Sequence, residues 1–450
     1  MSLPPKPAAR PEKVSFWRYL RLFRADILSA QPEKLYRAKM AEYRTPFFRS
    51  FLINEPELIR HVLRERPLDF PKSDRVGEGL RPLLGNSVFL TNGATWQRQR
   101  RIIDPAFEGG RLRDTFPAMR DAARAAVARL QEGEVEIEAE ASHAAADVIF
   151  RTLFSIPIQH ELAAEVFDAF RAYQRSQPIL NLAAFLPLPR WVPRGHRRAT
   201  RDAARIIRDR ITRLTGERLA AIRAGTAPDD LATKIMTTAD PETGDRFDTE
   251  EMVDQVAIFF LAGHETSAAA LGWALYLLAT HPQVQARVAD EVAALGPEIT
   301  FPDLSRLRLT RDVFREALRL YPPVPMMVRT AAQSTTFRKR SVRRDDQIVI
   351  SPWHLHRNGR FWANPDAFDP DRYATEAGQQ AARQAYYPFS AGPRVCPGAG
   401  FAMMEGTLLL AEILRAFELS PVAGKTPIPV AYLTVRTRDG LWLSLKRRAK

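Results

Sequence analysis

The chain has one cysteine in 450 residues, Cys396, and its neighbours are not those of an ordinary buried thiol. It lies in FSAGPRVCPGAGFAMME, residues 389–405. Gly392 and Gly398, with Pro393 and Pro397 between them, permit a tight, rigid turn whose backbone N–H groups can point at the sulfur. An anionic sulfur in an apolar setting needs such donors. A helix starting after Pro397 directs its positive end back toward the thiolate, and Arg394 is placed to reach a carboxylate. A lone cysteine is usually a small buried hydrophobe; this one is set up as a stable thiolate that ligates a metal.

A second group of chemical residues lies in AGHETS, residues 262–267, inside an almost wholly apolar stretch from about 250 to 280. Apolar character on all sides predicts a buried helix of roughly 45 Å at 1.5 Å per residue. Gly263 costs that helix about 1 kcal/mol relative to Ala. Glu265 and Thr266 put an acid and an alcohol where apolar groups belong. A Thr-satisfied kink is the structural alternative. A zinc-protease helix is excluded because position 268 is Ala rather than a second histidine.

The cysteine segment resembles the signature of the cytochrome P450 family. Phe389, Gly392, Arg394, Cys396, Gly398, Phe401, Ala402 and Glu405 stand at all the family's signature positions. The resemblance implies a heme b whose iron is held by the thiolate of Cys396, with Phe389, Gly398, Ala262 and Gly263 against the cofactor. Gly263 would leave room for dioxygen, and Thr266 and Glu265 would relay protons to it. Trp96 and Arg100, at i and i+4 in WQRQRR, resemble the family's propionate-binding pair, with Arg329 and Arg394 as further cations. Glu316 and Arg319 in EALRLYPPVP, with Arg372 of FDPDRY, match its buried structural ion network. The motifs run from about residue 90 to 405; the first 70 residues and 158–250 carry none.

The implied activity is a monooxygenase that inserts one atom of O2 into a small apolar organic molecule. A terpenoid, a fatty acyl chain and an aromatic compound all suit it. Electrons would come from NAD(P)H through a separate partner, a ferredoxin with its reductase, because no redox segment follows residue 450. Arg98 and Arg101 are candidates for a basic docking face. Candidate pocket walls are Leu83, Leu84, Val88 and Phe89 in a long loop, Ile258 and Phe259 on the helix, and Val324, Pro325 and Met327 on an extended segment. The competing readings are a peroxide-dependent peroxygenase or hydroperoxide isomerase, for which the acid–alcohol pair would be superfluous, and a non-enzymatic heme sensor.

The elements that must position these residues follow from composition and pattern. Hydrophobic residues make up 45% of the chain and charged residues 26%, enough for a large core and against wholesale disorder. A single cysteine excludes intrachain disulfides, zinc ribbons and iron–sulfur sites, and fits a reducing, cytoplasmic setting. No signal peptide and no apolar run of about 18 residues occurs, so a soluble protein is expected. Net charge is +14, and the first 50 residues hold 11 basic and 4 acidic side chains. Nothing resembles a nucleic-acid-binding motif, so no nucleic acid is expected as a partner. Phe16, Trp17, Leu20, Phe23, Ile27 and Leu28 recur at helical spacing among arginines; we expect a core-facing first helix, with weak peripheral membrane contact as the alternative.

Residues 1–13 read as a flexible Pro-rich leader and 14–450 as one domain, mainly α with a smaller β portion. Pro71–Thr95 reads as a long loop. Helices are expected near 111–131, 140–154, 198–223 and 400–416. The Pro-broken apolar stretch 178–193 matches the family's access-loop region. IVISPW reads as a strand, and AYLTVRT and LWLSLKR as two closing strands joined by an Arg-Asp-Gly turn.

Overall fold

The computed structural model describes residues 3–44, 48–176 and 198–448; the stretch 178–193 lies outside them. The fold is mainly helical with a smaller β portion. Its principal helices are α1 (Phe16–Ala25), α2 (Gly93–Ile103), α3 (Gly109–Arg129), α4 (Ile137–Phe154), α5 (Glu161–Ser176), α6 (Arg198–Ala224), α7 (Thr249–Thr280), α8 (Pro282–Ala293), α9 (Arg308–Leu320), α10 (Glu376–Ala385) and α11 (Ala399–Ala416).

The central helix is α7, and its start is written in the sequence. The Asp248 carboxylate accepts from the Glu251 N–H at 2.8 Å, and the Glu251 carboxylate accepts from the Asp248 N–H at 3.2 Å. This reciprocal cap fixes the first turn. From there α7 runs 32 residues, buried on most sides against α4, α6, α9 and α11. No described helix is long and apolar enough to cross a membrane.

The β portion falls into small sheets. Strands β1 (Met40–Arg44), β2 (Arg49–Ile53), β7 (Gln347–Ile350) and β4 (Met327–Thr330) form one in that order, with β2 and β7 parallel and the other pairs antiparallel. Two short strands, β5 (Thr335–Phe337) and β6 (Arg340–Val342), make a separate hairpin. Near the C-terminus, β11 (Trp442–Arg447) lies between β3 (Gly133–Glu136) and β8 (Phe417–Pro421). The two closing strands therefore do not pair with each other. Residues 431–437 instead contain a turn of their own, folding β9 (Pro429–Ala431) onto β10 (Val435–Thr437). The Tyr432 N–H closes that turn on the Thr434 carbonyl at 3.1 Å.

Three further expectations need correction. The Pro-rich start is held to the body rather than free: Tyr321 donates to the Pro5 carbonyl at 2.8 Å, and Lys6 pairs with Asp366 at 3.0 Å. Pro4 and Pro7 are buried. The first helix is amphipathic but not core-facing, since none of its residues is buried and Trp17 is 78% exposed. Finally, the segment 71–95 is not all loop; it carries the one-turn helices Asp74–Gly77 and Arg81–Leu84.

Candidate active site: a cysteine loop beneath four cations

The loop carrying Cys396 is fixed from both sides. The Cys396 N–H donates to the Phe389 carbonyl at 2.9 Å, and the Gly398 N–H, at the start of α11, points at the sulfur. Gly392 has φ +69°, and a Cβ there would come within 1.9 Å of the Leu63 carbonyl oxygen. Only glycine allows that approach. Burial pushes the Cys396 thiol pKa up, while the Gly398 N–H, Arg100 and Lys72 pull it down. The sulfur is enclosed by protein yet still presents accessible surface.

Four cations converge beside it. Arg394 stacks 4.1 Å over the Trp96 ring and donates to the Thr91 carbonyl and to Asn92 Oδ1, the latter at 2.8 Å. Arg100 donates to the Val395 carbonyl at 2.7 Å and pairs with Asp104 at 2.7 Å. Arg329 is buried on β4. Lys72, which sequence reasoning missed, is brought there because residues 71–73 pair with that strand: the Thr330 N–H bonds the Pro71 carbonyl at 2.9 Å, and Lys72 bridges Arg329. The Lys72 ammonium sits 3.9 Å over the Phe89 ring.

The electrostatics of this group are unfavourable for cations alone. Burial, then Arg329 and Arg100, pushes the Arg394 pKa down to about 9. Burial pushes Arg329 down to about 10. Burial and the neighbouring arginines hold Lys72 well below the ordinary lysine range. Among the described residues, no carboxylate pairs with Lys72, Arg329 or Arg394. The donor set fits a ligand that brings two carboxylates to the cations and a metal to the thiolate. Heme answers that description.

Behind the loop lies the ion network of Glu316, Arg319 and Arg372. Arg319 donates to both Glu316 oxygens at 2.8 Å, and Arg372 donates to Glu316 Oε1 at 2.9 Å. Arg319 also holds the His356, Pro365 and Ala367 carbonyls. Burial alone would push Glu316 up; Arg319 and then Arg372 overcome it and hold the carboxyl below its ordinary range. His356, another residue not anticipated, joins this network to the cysteine loop. It bonds the Arg319 carbonyl through Nδ1 at 3.2 Å and accepts the Tyr387 N–H on Nε2 at 2.9 Å. That pairing assigns the neutral Nδ1–H tautomer.

On α7 the expected residues separate. Ala262 is exposed in the middle of a buried helix, and Thr266 is partly exposed one turn on. The Thr266 hydroxyl donates to the Ala262 carbonyl at 2.5 Å. Glu265, next in sequence, points elsewhere: it accepts from Thr434 at 2.6 Å and from Gln174 at 3.3 Å, and pairs with Arg436. Its carboxylate therefore is not stacked with the alcohol as a contiguous pair. Gly263 has a packing reason, since a Cβ there would stand 2.4 Å from Ile149 Cδ1 on α4.

The pocket residues divide as well. Leu83, Leu84, Val88, Ile258 and Pro325 are buried in the core, because the Arg81–Leu84 turn is pressed onto α6 and α7. Phe89 is exposed but lies under Lys72. Phe259, Val324 and Met327 retain accessible apolar surface, as do Tyr432 and Leu433 at the β9–β10 turn. Arg98 and Arg101 do not form a free basic face; Arg98 pairs with Glu251 and Arg101 with Asp240, both at 2.6 Å.

Comparison with known proteins agrees with this arrangement. The sequence model of the family described as Cytochrome P450 matches residues 28–439. The chain is 35% identical to Cyclooctat-9-en-7-ol 5-monooxygenase of Streptomyces melanosporofaciens, over 86% of this chain and 84% of that protein. It is 32% identical to human Cytochrome P450 4A11, over 84% of this chain and 76% of that one. The crystal structure of the cytochrome P450DA heme domain superposes with a TM-score of 0.82 at 25% identity, covering 100% of this chain and 99% of the other. With its cysteine loop, cation group and ion network in one fold, this chain belongs to the cytochrome P450 family.

Proposed function

We propose that this monooxygenase hydroxylates a bulky apolar molecule of the kind named for its 35%-identical relative, the unsaturated alcohol cyclooctat-9-en-7-ol. The accessible side chains Phe259, Val324, Met327 and Leu433 carry no charge and would favour a hydrocarbon skeleton over an ionised ligand. Electrons would be supplied from NAD(P)H through a separate ferredoxin and its reductase.

The observation that carries the reading is the convergence of Cys396 with Lys72, Arg100 and Arg394. Cys396 Sγ would ligate the heme iron, and the four cations would hold the propionates. When bound, heme supplies the activation of dioxygen. The chain's own part would be to donate the Gly398 N–H to the sulfur, to orient substrate on apolar surface, and to pass protons by way of Thr266 and Glu265.

The test is the absorption spectrum of dithionite-reduced protein under carbon monoxide, with cyclooctat-9-en-7-ol added to the oxidised form. We expect a strongly red-shifted Soret band, absent in Cys396→Ser, and a spin-state shift on adding the alcohol. A histidine-type Soret band in the unaltered protein would overturn the thiolate assignment. No spin-state shift with the alcohol, beside one with dodecanoic acid, would overturn the substrate class.

A further inference from the structure

The hairpin β9–β10 is sunk into the body except at its tip. Pro429, Val430 and Ala431 are buried in one strand, and Thr434, Val435 and Thr437 in the other. Within residues 429–437 the exposed side chains are those of the turn, Tyr432 at 41% and Leu433 at 39%. The Val435 N–H bonds the Pro323 carbonyl at 2.9 Å, which sets the turn beside Val324. On its other flank lies α7, where Glu265 accepts the Thr434 hydroxyl at 2.6 Å. Ala262 stands three residues before Glu265, on the same side of that helix, and is exposed. The turn thus meets accessible apolar surface on both flanks.

We infer that Glu265, by gripping Thr434 and Arg436, is the positioning residue that sets Leu433 against substrate, and so fixes both affinity and the carbon presented for attack; this rests on the apolar-substrate reading above. Glu265 Oε1 receives both Thr434 and Arg436, and Oε2 receives Gln174 of α5 at 3.3 Å. Bonds to an ionised carboxylate are among the strong ones. Thr434 and Arg436 stand two apart on one extended segment, so they share a face. On the opposite face, Thr437 donates to Glu138 of α4. Two carboxylates from two helices therefore fix the second strand.

The first strand is fixed at its end. The Ala431 N–H donates to Asp26 at 2.8 Å, and the Ala431 carbonyl accepts the Ile27 N–H at 3.1 Å. Between these anchors the tip has one backbone bond of its own, from the Tyr432 N–H to the Thr434 carbonyl. Its place is set by what holds Thr434 and Arg436. A slip of one residue would turn both away from Glu265. Among the described residues, the hydrogen-bond partners of the Glu265 carboxylate lie on the hairpin and α5, none on Thr266. Holding the hairpin is therefore a task separate from proton passage, and Arg436 and Thr434 test it without altering the acid.

The test titrates oxidised holoenzyme with cyclooctat-9-en-7-ol, and separately with dodecanoic acid, following the spin-state shift; turnover of the compound bound then gives the ratio of product isomers. Arg436→Gln should weaken binding about tenfold, in the range expected for a misplaced contact, and change the isomer ratio at unchanged heme content. Arg436→Lys should stay within about twofold of the unaltered protein, because the ion pair survives. Leu433→Ala should resemble Arg436→Gln, and adding Arg436→Gln to it should cost no more than about twofold further, since both act through one side chain. Independent, multiplying losses in the double variant would overturn the inference, as would unchanged binding and isomer ratio in Arg436→Gln. If Arg436→Gln holds no heme, Thr434→Val decides, and unchanged binding there overturns it. A spin-state shift with neither compound in the unaltered protein would instead defeat the substrate reading, and the inference with it.

Discussion

The Ser267 hydroxyl donates a 2.6 Å hydrogen bond to Glu405 Oε2, joining α7 to α11 through a carboxyl that is fully buried. The second oxygen, Oε1, has no hydrogen-bond partner among the described residues. Burial pushes the Glu405 pKa up to about 8, against the opposing pull of Ser267. The folded protein therefore holds this proton between the unfolded value of about 4.3 and about 8. Since the folded state binds more protons in that window, stability falls as pH rises through it. The loss attributable to this group is on the order of 5 kcal/mol when complete. Glu405→Gln should flatten the dependence. Chemical denaturation at pH 5 and pH 8 measures it; an equal pH response in both proteins would refute the assignment.

Gly263 predicts a sign reversal. Gly263→Ala gains about 1 kcal/mol of helix propensity but overpacks Ile149 by about 1–3 kcal/mol. The net should be a loss of about 1 kcal/mol. In an Ile149→Val background, which lacks the colliding Cδ1, the same substitution should stabilise. Equilibrium unfolding of the four proteins closes this double-mutant cycle.

Breaking the Glu316 network strands two buried guanidinium groups. Glu316→Ala should cost on the order of 3–5 kcal/mol. Because Arg319 and His356 hold the backbone leading to Cys396, heme content should fall together with melting temperature. Full heme incorporation at unchanged stability would show that the network does not support the loop.

Lys72→Met removes one member of a crowded cation group. The heme-free protein should lose no stability, since repulsion among Lys72, Arg329 and Arg394 is relieved. Heme should nonetheless dissociate faster, by about tenfold for the loss of one charge-assisted bond of roughly 1.5 kcal/mol. Transfer of heme to apomyoglobin gives the rate. An unchanged rate would remove Lys72 from the propionate set.

What could be read from sequence was whatever is encoded in short spacings. The Cys396 turn and the Glu316–Arg319 pair depend on residues a few positions apart, so the local pattern carries the geometry. Lys72 was hidden because a lysine in a loop acquires meaning only when that loop pairs with β4, where its partner Arg329 is 257 residues away by number. Arg436 and Thr434 were missed for a related reason. The turn of the hairpin lies within AYLTVRT, not after it, and the face that meets Glu265 depends on that register. The apolar pocket candidates are a different case. Leu83 and Ile258 are chemically suited to either core or pocket, and only packing decides between them.

The first residues of the chain rest on some of the last. Tyr321 holds Pro5, the Trp353 indole N–H reaches the Tyr36 hydroxyl at 2.7 Å, and the Ala431 N–H bonds Asp26 at 2.8 Å. During synthesis from the N-terminus these early residues have no docking surface until more than 300 further residues have left the ribosome. The opening segment must wait, solvated, and its charge and prolines suit a stretch that has to stay unaggregated meanwhile. Its docking is a late event in folding, a clasp closed after the helical body has formed.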